Sequence, residues 1–545
     1  MSMDRDQVGE MAAAVRQRAE ALAVPEAREP LAAEFVKECL DTNERGDGCM
    51  FAALHRDRFL YNTTPKPVGE WYAWNGHVWQ IDYLQRAFAA VEDLALEYQR
   101  MMELLDRDIE TLGLESISSR DLKQHPDGWK VALRNKYKKR VDRLRSADGV
   151  GKVLKWAPVV DPAMACREQD FDHIPHLLPV GNGVIDLNTG ALTKGRPEDK
   201  LTRALDIDYD PHADYGPWVE FIAEITDDPE IAAFVKRSLG YASTGYSNEQ
   251  YIWVFTGPGR NGKGVLFDLI GDVMRPYFHT ISRAMLIEQR TEPSPSAASE
   301  HMYSLLGKRV IVGGETNRNQ HVDMGAVKML TGDDEIKCRP NFKSEITFKP
   351  SHTLFLHTQY VPKGLTRDFA MAQRTLKVEF PNMYVDDPED WATRDPARAT
   401  RYRKKDPFLK PKLRQYRQGI LRWLVEGAVE WREHGISPPE SIKDAVLALA
   451  ADEDYTTRFV KDCLVKQDDA SIRISCKQTY DVFRWWWSEN EEDQKSRRIP
   501  AMKTINKDMR DRGIVVDMSG GKTWIYGYSI NLEIINDVNA FLGNS

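Results

Sequence analysis

Apolar residues recur along the chain in two spacings, one typical of helices and one typical of short strands. Residues 84–145 follow the helical spacing, and the Trp-rich stretch 50–85 indicates short strands joined by a Trp-Asn-Gly-His turn. Short apolar runs at 252–255, 310–312 and 353–358 predict further strands, and an apolar helical pattern follows the first of them. The pattern therefore predicts an α/β protein.

These patterns divide the chain into five segments, which together predict an α/β multidomain fold. In the last segment, helices followed by two strands around Gly520-Gly521 predict a winged-helix-like domain, a frequent DNA-binding or interaction module. The segments are a helical lead-in (1–45), an α+β N-terminal accessory domain (46–205), a domain carrying the three apolar runs (206–385), a linker and helical segment (386–455) and the C-terminal module (456–545).

Composition excludes several classes of protein. With 42% apolar and 29% charged residues in 545, the chain is neither disordered nor collagen-like. No run approaches the roughly 18 apolar residues of a membrane span, and we expect no membrane contact. Six scattered Cys and no paired His argue against a zinc module and for a reducing compartment. Since the net charge is −8, nucleic acid would have to contact a local basic element.

A glycine-rich string lies between the first apolar run and the helix that follows it. It matches G-x-x-x-x-G-K, and the strand and helix on either side are the context that a phosphate-binding loop requires. Its glycines allow backbone N–H groups to turn inward, the helix N-terminus adds positive charge, and Lys263 supplies a mobile cation. We therefore predict a nucleotide site formed by Gly257, Pro258, Gly259, Arg260, Asn261, Gly262, Lys263 and Gly264.

Two residues near the loop bear on how Mg²⁺ would be coordinated. Gly264 stands where such loops normally carry a Ser or Thr that binds Mg²⁺, so water or another side chain must take that coordination position. Glu315 ends the second apolar run, where a carboxylate can hold the Mg²⁺ shell and polarise the attacking water. Because Thr316 follows it, Glu315 would have both tasks.

Two further polar residues are predicted to act on the nucleotide. Gln359 follows the third apolar run, and an amide beside the γ-phosphate can orient water. Arg374 precedes another alternating run, and its guanidinium can stabilise transition-state charge on the nucleotide of a neighbouring subunit. An ordinary ion-paired arginine is the alternative for Arg374.

Between the second and third apolar runs, two β-prone arms flank a Pro-Asn-Phe-Lys tip, which is a hairpin signal. Basic and aromatic side chains suit a loop that grips nucleic acid by charge and stacking, and a plain surface hairpin is the alternative. The predicted DNA-binding residues are Lys337, Arg339, Phe342 and Lys343.

Residues 180–440 resemble superfamily 3 helicases of the phage and plasmid primase–helicase group, relatives of the poxvirus nucleoside triphosphatase/primase. The resemblance is carried by the 257–264 loop, Val310–Glu315, the Lys-Met-Leu-Thr-Gly-Asp-Asp stretch at 328–334, Leu354–Gln359 and Gln373-Arg374. Three positions depart from the family pattern: Gly264 for Ser/Thr, Gln359 for Asn and Gln373 for a second Arg.

The resemblance implies an AAA+-like motor with a central, mostly parallel sheet, assembling as a homo-oligomeric, typically hexameric, ring. ATP and Mg²⁺ would be its cofactors, and Arg374 would act in trans. Hairpins in the pore would pull one DNA strand, typically 3′→5′, from forked or origin duplex, with Lys343 as the phosphate contact. The implied function is an ATP-dependent DNA helicase replicating a phage, plasmid or satellite element, located in the cytoplasm (of the host if phage-encoded).

Other interpretations remain open at this point. No carboxylate pair typical of a primase is evident, since Asp206 and Asp208 favour a structural role, so a primase would be separately encoded. A nucleotide-regulated replication initiator or DNA-binding scaffold with little helicase turnover is the main alternative, and a small-molecule kinase is a third. The basic run 136–145 is either a solvated helix face or a nucleic-acid-facing one, and Trp485–Trp487 favour core packing over base stacking.

Overall fold

A computed structural model describes residues 29–64, 69–161, 164–288, 300–317, 320–339, 345–490 and 499–543. The chain forms two compact units, Met1–Pro211 and His212–Ser545. Within the described residues, no helix is both long and apolar enough to cross a membrane.

The first unit contains a helical bundle. Its helices are α1 (Ala33–Asp41), α2 (Asn43–His55), α3 (Arg86–Ala89), α4 (Glu92–Thr111), α5 (Ser119–Leu122), α6 (Gly128–Leu144) and α7 (Ala147–Val160). Helix α2 packs on α7 and α4 packs on α6. Their apolar stripes form one core, in which Phe51, Tyr98 and Tyr137 are fully buried.

A buried carboxylate links three helices of this bundle. Asp47 on α2 accepts hydrogen bonds from Arg140 Nη1 at 2.6 Å, Arg143 Nη2 at 2.8 Å and the Tyr98 hydroxyl at 3.0 Å. The basic run 136–145 is therefore divided in function. Arg140 is buried in the core and serves the fold, whereas Lys138 is exposed, which fits either a solvated or a nucleic-acid-facing helix.

Two small sheets complete the first unit. The strands are β1 (Phe59–Asn62), β2 (Glu70–Trp74), β3 (Trp79–Ile81), β4 (Ala165–Cys166), β5 (Leu177–Val180), β6 (Gly183–Asp186) and β7 (Ala191–Thr193). The predicted turn joins β2 to β3, and the Asn75 side chain accepts from the backbone N–H groups of His77 and Val78. β5, β6 and β7 form an antiparallel meander.

The second unit is built around a five-stranded parallel sheet with strand order β14-β8-β13-β10-β9. The helices that precede or connect the sheet strands are α8 (Gly216–Thr226), α9 (Pro229–Ser243), α10 (Lys263–Val273), α11 (Glu300–Tyr303), α12 (Met324–Thr331) and α13 (Phe369–Arg374). The sheet strands are β8 (Ile252–Thr256), β9 (Phe278–Ile281), β10 (Val310–Gly313), β13 (Thr353–His357) and β14 (Thr375–Glu379), and β11 (Ile336–Cys338) pairs with β12 (Ile346–Phe348) in a hairpin.

The central strand β8 shows why this sheet is parallel and buried. All five of its residues are buried, because side chains of both faces are covered. Ile252 and Val254 pack into one core, and on the other face Phe255 packs against Phe267 in a tilted arrangement and against Phe355 edge-on. The mixed α/β class with a parallel sheet is confirmed.

The segment 386–455, predicted as linker and helix, lies against the sheet domain. After β15 (Met383–Val385) come α14 (Pro388–Arg394), β16 (Tyr402–Lys404), α15 (Leu409–Arg414), α16 (Arg417–His434) and α17 (Glu440–Glu453). Helix α15 is ion-paired to α10 twice: Lys410 binds Asp268, and Arg414 Nε lies 2.8 Å from Asp272 Oδ2. α15 is therefore fixed to the helix that follows the glycine-rich loop.

The C-terminal module begins with α18 (Tyr455–Cys463). It continues with β17 (Leu464–Lys466), β18 (Arg473–Ser475), α19 (Cys476–Asn490), α20 (Met502–Asp511), β19 (Val516–Ser519), β20 (Lys522–Tyr526), β21 (Tyr528–Ile530) and α21 (Ile535–Gly543). A three-stranded antiparallel sheet has the order β18-β20-β19. Trp486 and Trp487 are buried in the core of this module, as predicted.

Candidate active site

The loop between β8 and α10 has the backbone of a cradle. Gly257 has φ +140° and Gly262 has φ +88°, conformations that favour glycine. A Cβ on Gly257 would lie 2.3 Å from the Phe380 carbonyl oxygen, and one on Gly262 would lie 2.5 Å from Ile225. The buried Asn261 side chain donates to the Phe380 carbonyl at 3.3 Å, which ties the loop to the end of β14. The loop is thus held by its neighbours.

Lys263 begins α10 and is 2% exposed. Its ammonium donates to the Gly257 carbonyl at 3.2 Å, so the side chain folds back over the loop. Burial lowers the pKa of Lys263 to about 8, an effect that the nearby Glu315 carboxylate partly opposes. The cation is under-compensated, which is the electrostatic condition that favours a polyanion such as a triphosphate.

Glu315 and Gln359 lie at the same edge of the sheet as this loop, because β8, β10 and β13 are parallel. Glu315 follows β10 and is exposed. Gln359 follows β13, and a Cβ on Gly259 would lie 3.9 Å from its Oε1 atom. The structure therefore brings together the predicted loop, acid and amide.

A pair of buried threonines, which sequence reasoning did not identify, joins these two strand ends. The Thr316 and Thr358 hydroxyl oxygens are 2.7 Å apart, and the Thr316 N–H lies 3.3 Å from the Thr358 hydroxyl. Both hydroxyls also reach the Tyr360 carbonyl. Because Thr316 follows Glu315 and Thr358 precedes Gln359, the pair fixes the spacing of the acid and the amide.

We expect Thr316→Val to lower the turnover of nucleotide hydrolysis about tenfold while leaving nucleotide affinity unchanged. Valine keeps the volume but removes the buried hydrogen bonds, a loss of about 1–3 kcal/mol that frees Glu315 relative to Gln359. Steady-state kinetics with a separate binding titration measure the two quantities. Thr316→Ser, which keeps the hydroxyl, is the control and should retain activity; equal loss in both variants would contradict the hydroxyl's role.

Gly264, the second residue of α10, faces open space. A Cβ there would meet nothing within 4 Å, and it borders an open cleft of about 390 Å³ also lined by Asp268, Thr280 and His357. Burial and the nearby Lys263 lower the pKa of His357, so its ring is neutral near pH 7. Within the described residues, no cluster of three or more His, Cys, Asp or Glu is arranged to hold a metal ion.

We expect Gly264→Ser to increase the apparent affinity for Mg²⁺ by a few fold. The cleft has room for the added hydroxyl, which is a ligand that Mg²⁺ accepts. Hydrolysis rates titrated against Mg²⁺ measure the effect. Gly264→Ala is the control, since it also adds a side chain to the helix, gaining about 0.5–1 kcal/mol in helix propensity, but supplies no oxygen ligand. An unchanged Mg²⁺ dependence in the serine variant would show that the metal lies elsewhere.

Arg374 lies at the opposite edge of the sheet from the loop. Thr375 pairs with Ile252, so Arg374 is beside the amino end of β8, and its Nη1 atom lies 3.5 Å from the Gln250 carbonyl oxygen. The loop follows the carboxyl end of β8, about 16 Å away along five residues at about 3.3 Å each. Within one chain the structure does not bring Arg374 to the loop.

The predicted DNA-binding residues are described only in part. Lys337 and Arg339 are exposed at the β11 arm of the hairpin. Ile336 and Cys338 alternate with them and are buried in the core of the sheet domain. Phe342 and Lys343 lie outside the described residues. In the first unit, Asp208 packs closely against Gly181: a Cβ added to that glycine would lie 2.2 Å from Asp208 Oδ1. This close packing agrees with a structural role for the aspartate.

The chain is similar to one described protein family and to several proteins of DNA viruses. Residues 49–227 match the family described as D5 N terminal like. A putative helicase of Acanthamoeba polyphaga mimivirus is 24% identical over 457 residues, covering 80% of this chain and 45% of the viral protein. A putative primase of African swine fever virus is 24% identical over 198 residues, covering 35% of this chain and 20% of that protein.

Among solved structures, the apo form of the NrS-1 C-terminal region aligns with a TM-score of 0.38 and 13% identity, covering 58% of this chain and 77% of that chain. The present chain spans less than half the length of both viral relatives.

Proposed function

We propose that this chain, which is similar to putative helicases and primases of DNA viruses, is an ATP-dependent DNA helicase of superfamily 3. The observation that carries the proposal is the cradle 257–264 with its buried, under-compensated Lys263, flanked at one sheet edge by Glu315 and Gln359. A phosphate-binding loop beside an acid and an amide is the arrangement needed to bind and hydrolyse a nucleoside triphosphate.

The residues present fit ATP and Mg²⁺. Backbone N–H groups of the loop and the start of α10 would bind the phosphates, and Lys263 would neutralise the β- and γ-phosphates. Glu315 would hold the Mg²⁺ shell and accept a proton from the attacking water, while Gln359 would orient that water. Bound Mg²⁺ would supply charge neutralisation on the phosphate oxygens.

The position of Arg374 supports a ring-forming enzyme, typically hexameric. Since Arg374 cannot reach the loop of its own chain, a role on nucleotide requires the loop of a neighbouring copy. Each active site would then be completed at a subunit interface, and an arginine supplied in this way stabilises the charge of the transition state.

The hairpin β11–β12 supports single-strand DNA as the substrate of the motor. Its β11 arm presents the exposed Lys337 and Arg339, whereas the predicted contacts Phe342 and Lys343 lie outside the described residues. We propose that hairpins of the ring enter a pore and move one strand, 3′→5′, away from a fork or an origin duplex. Initiating primers would come from a separately encoded primase, and the enzyme would act in the cytoplasm.

The C-terminal module supports a winged-helix domain. Its chain order is helix α18, strands β17 and β18, helices α19 and α20, then strands β19, β20 and β21. The three-stranded sheet has the order β18-β20-β19, and β17 pairs with β21. This connectivity is that of helix-turn-helix modules with a β-wing, which contact duplex DNA through the second helix of the pair.

The proposal is tested by ATP hydrolysis with and without single-stranded DNA, together with unwinding of a forked duplex. We expect hydrolysis stimulated by DNA, and unwinding that requires ATP. The missing hydroxyl at Gly264 and the single acid Glu315 favour a second candidate, a nucleotide-regulated initiator or scaffold. That protein would bind ATP and DNA but show turnover near background.

We expect Lys343→Ala to weaken binding of single-stranded DNA and slow unwinding about tenfold, while ATP binding is unchanged. Loss of one phosphate-contacting cation lowers affinity and reduces the salt dependence of binding by about one counterion. Fluorescence anisotropy at several salt concentrations measures both. Lys194→Ala, which removes an exposed lysine of the first unit, is the control. Wild-type unwinding by the Lys343 variant would refute the assignment of the hairpin.

A further inference from the structure

The three-stranded sheet of the C-terminal module has two chemically different faces. Ile474 and Val516 both pair with Ile525, and these three residues belong to the core that α19 and α20 complete. Since successive side chains of a strand point to opposite faces, the neighbours of these residues lie on the face away from those helices. That outer face carries Arg473, Ser475, Asp517, Ser519, Lys522, Trp524 and Tyr526.

Two aromatic rings on this outer face are fixed in place. The Arg473 guanidinium lies 4.4 Å from the Trp524 ring centroid and 6.0 Å from that of Tyr526. The Trp524 indole N–H donates to the Ser519 carbonyl at 3.0 Å. Neither ring belongs to the apolar core, and both are partly exposed. The rings are therefore ordered without being used for core packing.

The charge of the outer face is net positive. Arg473 and Lys522 are exposed, and Asp517, opposite Trp524, is the acid among the residues of this face. Ordered aromatic rings flanked by cations are the combination with which proteins bind single strands, because bases stack on the rings while cations contact phosphates. A winged-helix reader of duplex DNA would use α20, which packs on the other face.

We propose that the outer face of sheet β18-β20-β19 is a second nucleic-acid site, which binds single-stranded DNA by stacking bases on Trp524 and Tyr526. Arg473 and Lys522 contact the backbone phosphates. This site is separate from the hairpin β11–β12 and from the nucleotide loop, so its occupancy requires neither ATP nor hydrolysis. It would hold a strand outside the pore.

The test uses the full chain without nucleotide and a fluorescein-labelled oligothymidine, with a duplex of equal length as the second probe. We expect Trp524→Leu and Arg473→Glu each to weaken binding of the single strand about tenfold and to leave duplex binding unchanged. Trp129→Leu, which removes a tryptophan that is 54% exposed in the first unit, should bind as the wild type. Thermal melting checks that each variant is folded.

A milder pair of variants separates stacking from folding. Tyr526→Phe keeps the ring and should bind normally, whereas Tyr526→Ser should lose affinity for the single strand. Photocrosslinking of a bromodeoxyuridine oligonucleotide to the wild type should modify Trp524 or Tyr526. Wild-type affinity in the Trp524 and Arg473 variants, equal loss on duplex, or crosslinks confined to other segments would each overturn the proposal. Because the assay contains no nucleotide, its result does not depend on whether the protein hydrolyses ATP.

Discussion

We expect replacement of Lys263 by alanine to reduce ATP hydrolysis to background, a fall of at least about a hundredfold. The buried ammonium is the cation of the loop 257–264, and without it the charge of the β- and γ-phosphates is not compensated. The fold itself should persist, because burial already disfavours the charged amine and its removal leaves no unpaired anion. Hydrolysis assays, ATP titrations and thermal melting measure the three effects.

We expect the same lysine to make nucleotide binding depend on pH. Its pKa of about 8 in the absence of ligand means that, above this pH, the amine is increasingly neutral, so binding of a triphosphate requires proton uptake. ATP affinity of the wild type should therefore fall as pH rises above about 8, and Lys263→Ala should lose this dependence. Lys377→Ala, on β14, is the matched control. Normal hydrolysis by the Lys263 variant would remove the basis for a motor.

Arg374→Ala should lower ATP turnover by about a thousandfold without changing ATP affinity, as expected for a cation that contacts only the transition state. Its place at the amino end of β14 makes it useless to its own loop. Mixing this variant with Lys263→Ala should restore part of the activity, since some interfaces then combine an intact loop with an intact arginine.

The controls for Arg374 follow from its neighbours. Gln373→Ala changes the adjacent exposed residue and should keep wild-type turnover. If mixed subunits show no recovery, the arginine does not act in trans. If Arg374→Ala alone hydrolyses ATP normally, it is an ordinary surface arginine.

Local sequence signals were sufficient for the strand, loop and helix around Lys263. The apolar run, the glycines and the apolar helix lie within about twenty consecutive residues, so β8 and α10 begin and end close to their predicted positions. Glu315 and Gln359 could be placed at strand ends for the same reason. Their roles stay predictions, as does that of Arg374.

Contacts between residues far apart in the chain were not visible in the sequence. The Thr316–Thr358 pair exists because β10 lies beside β13, and its members are 42 residues apart. Lys410 and Asp268 are 142 residues apart, so the sequence around Lys410 gave no sign of this contact and was interpreted as a linker. Both interpretations of the basic run 136–145 placed Arg140 at the surface, and for this residue both were wrong. Its partner Asp47 lies 93 residues earlier in the chain.

The two ion pairs between α15 and α10 have a consequence for experiments in different buffers. Exposed pairs of this kind contribute about 0–1 kcal/mol each and are screened at high ionic strength. Raising the salt should therefore weaken the attachment of α15 to the helix that begins with Lys263, and it should also weaken any contact with polynucleotide phosphates. A salt titration of turnover would thus combine two separate responses, and a titration at saturating nucleotide without polynucleotide removes the polynucleotide response.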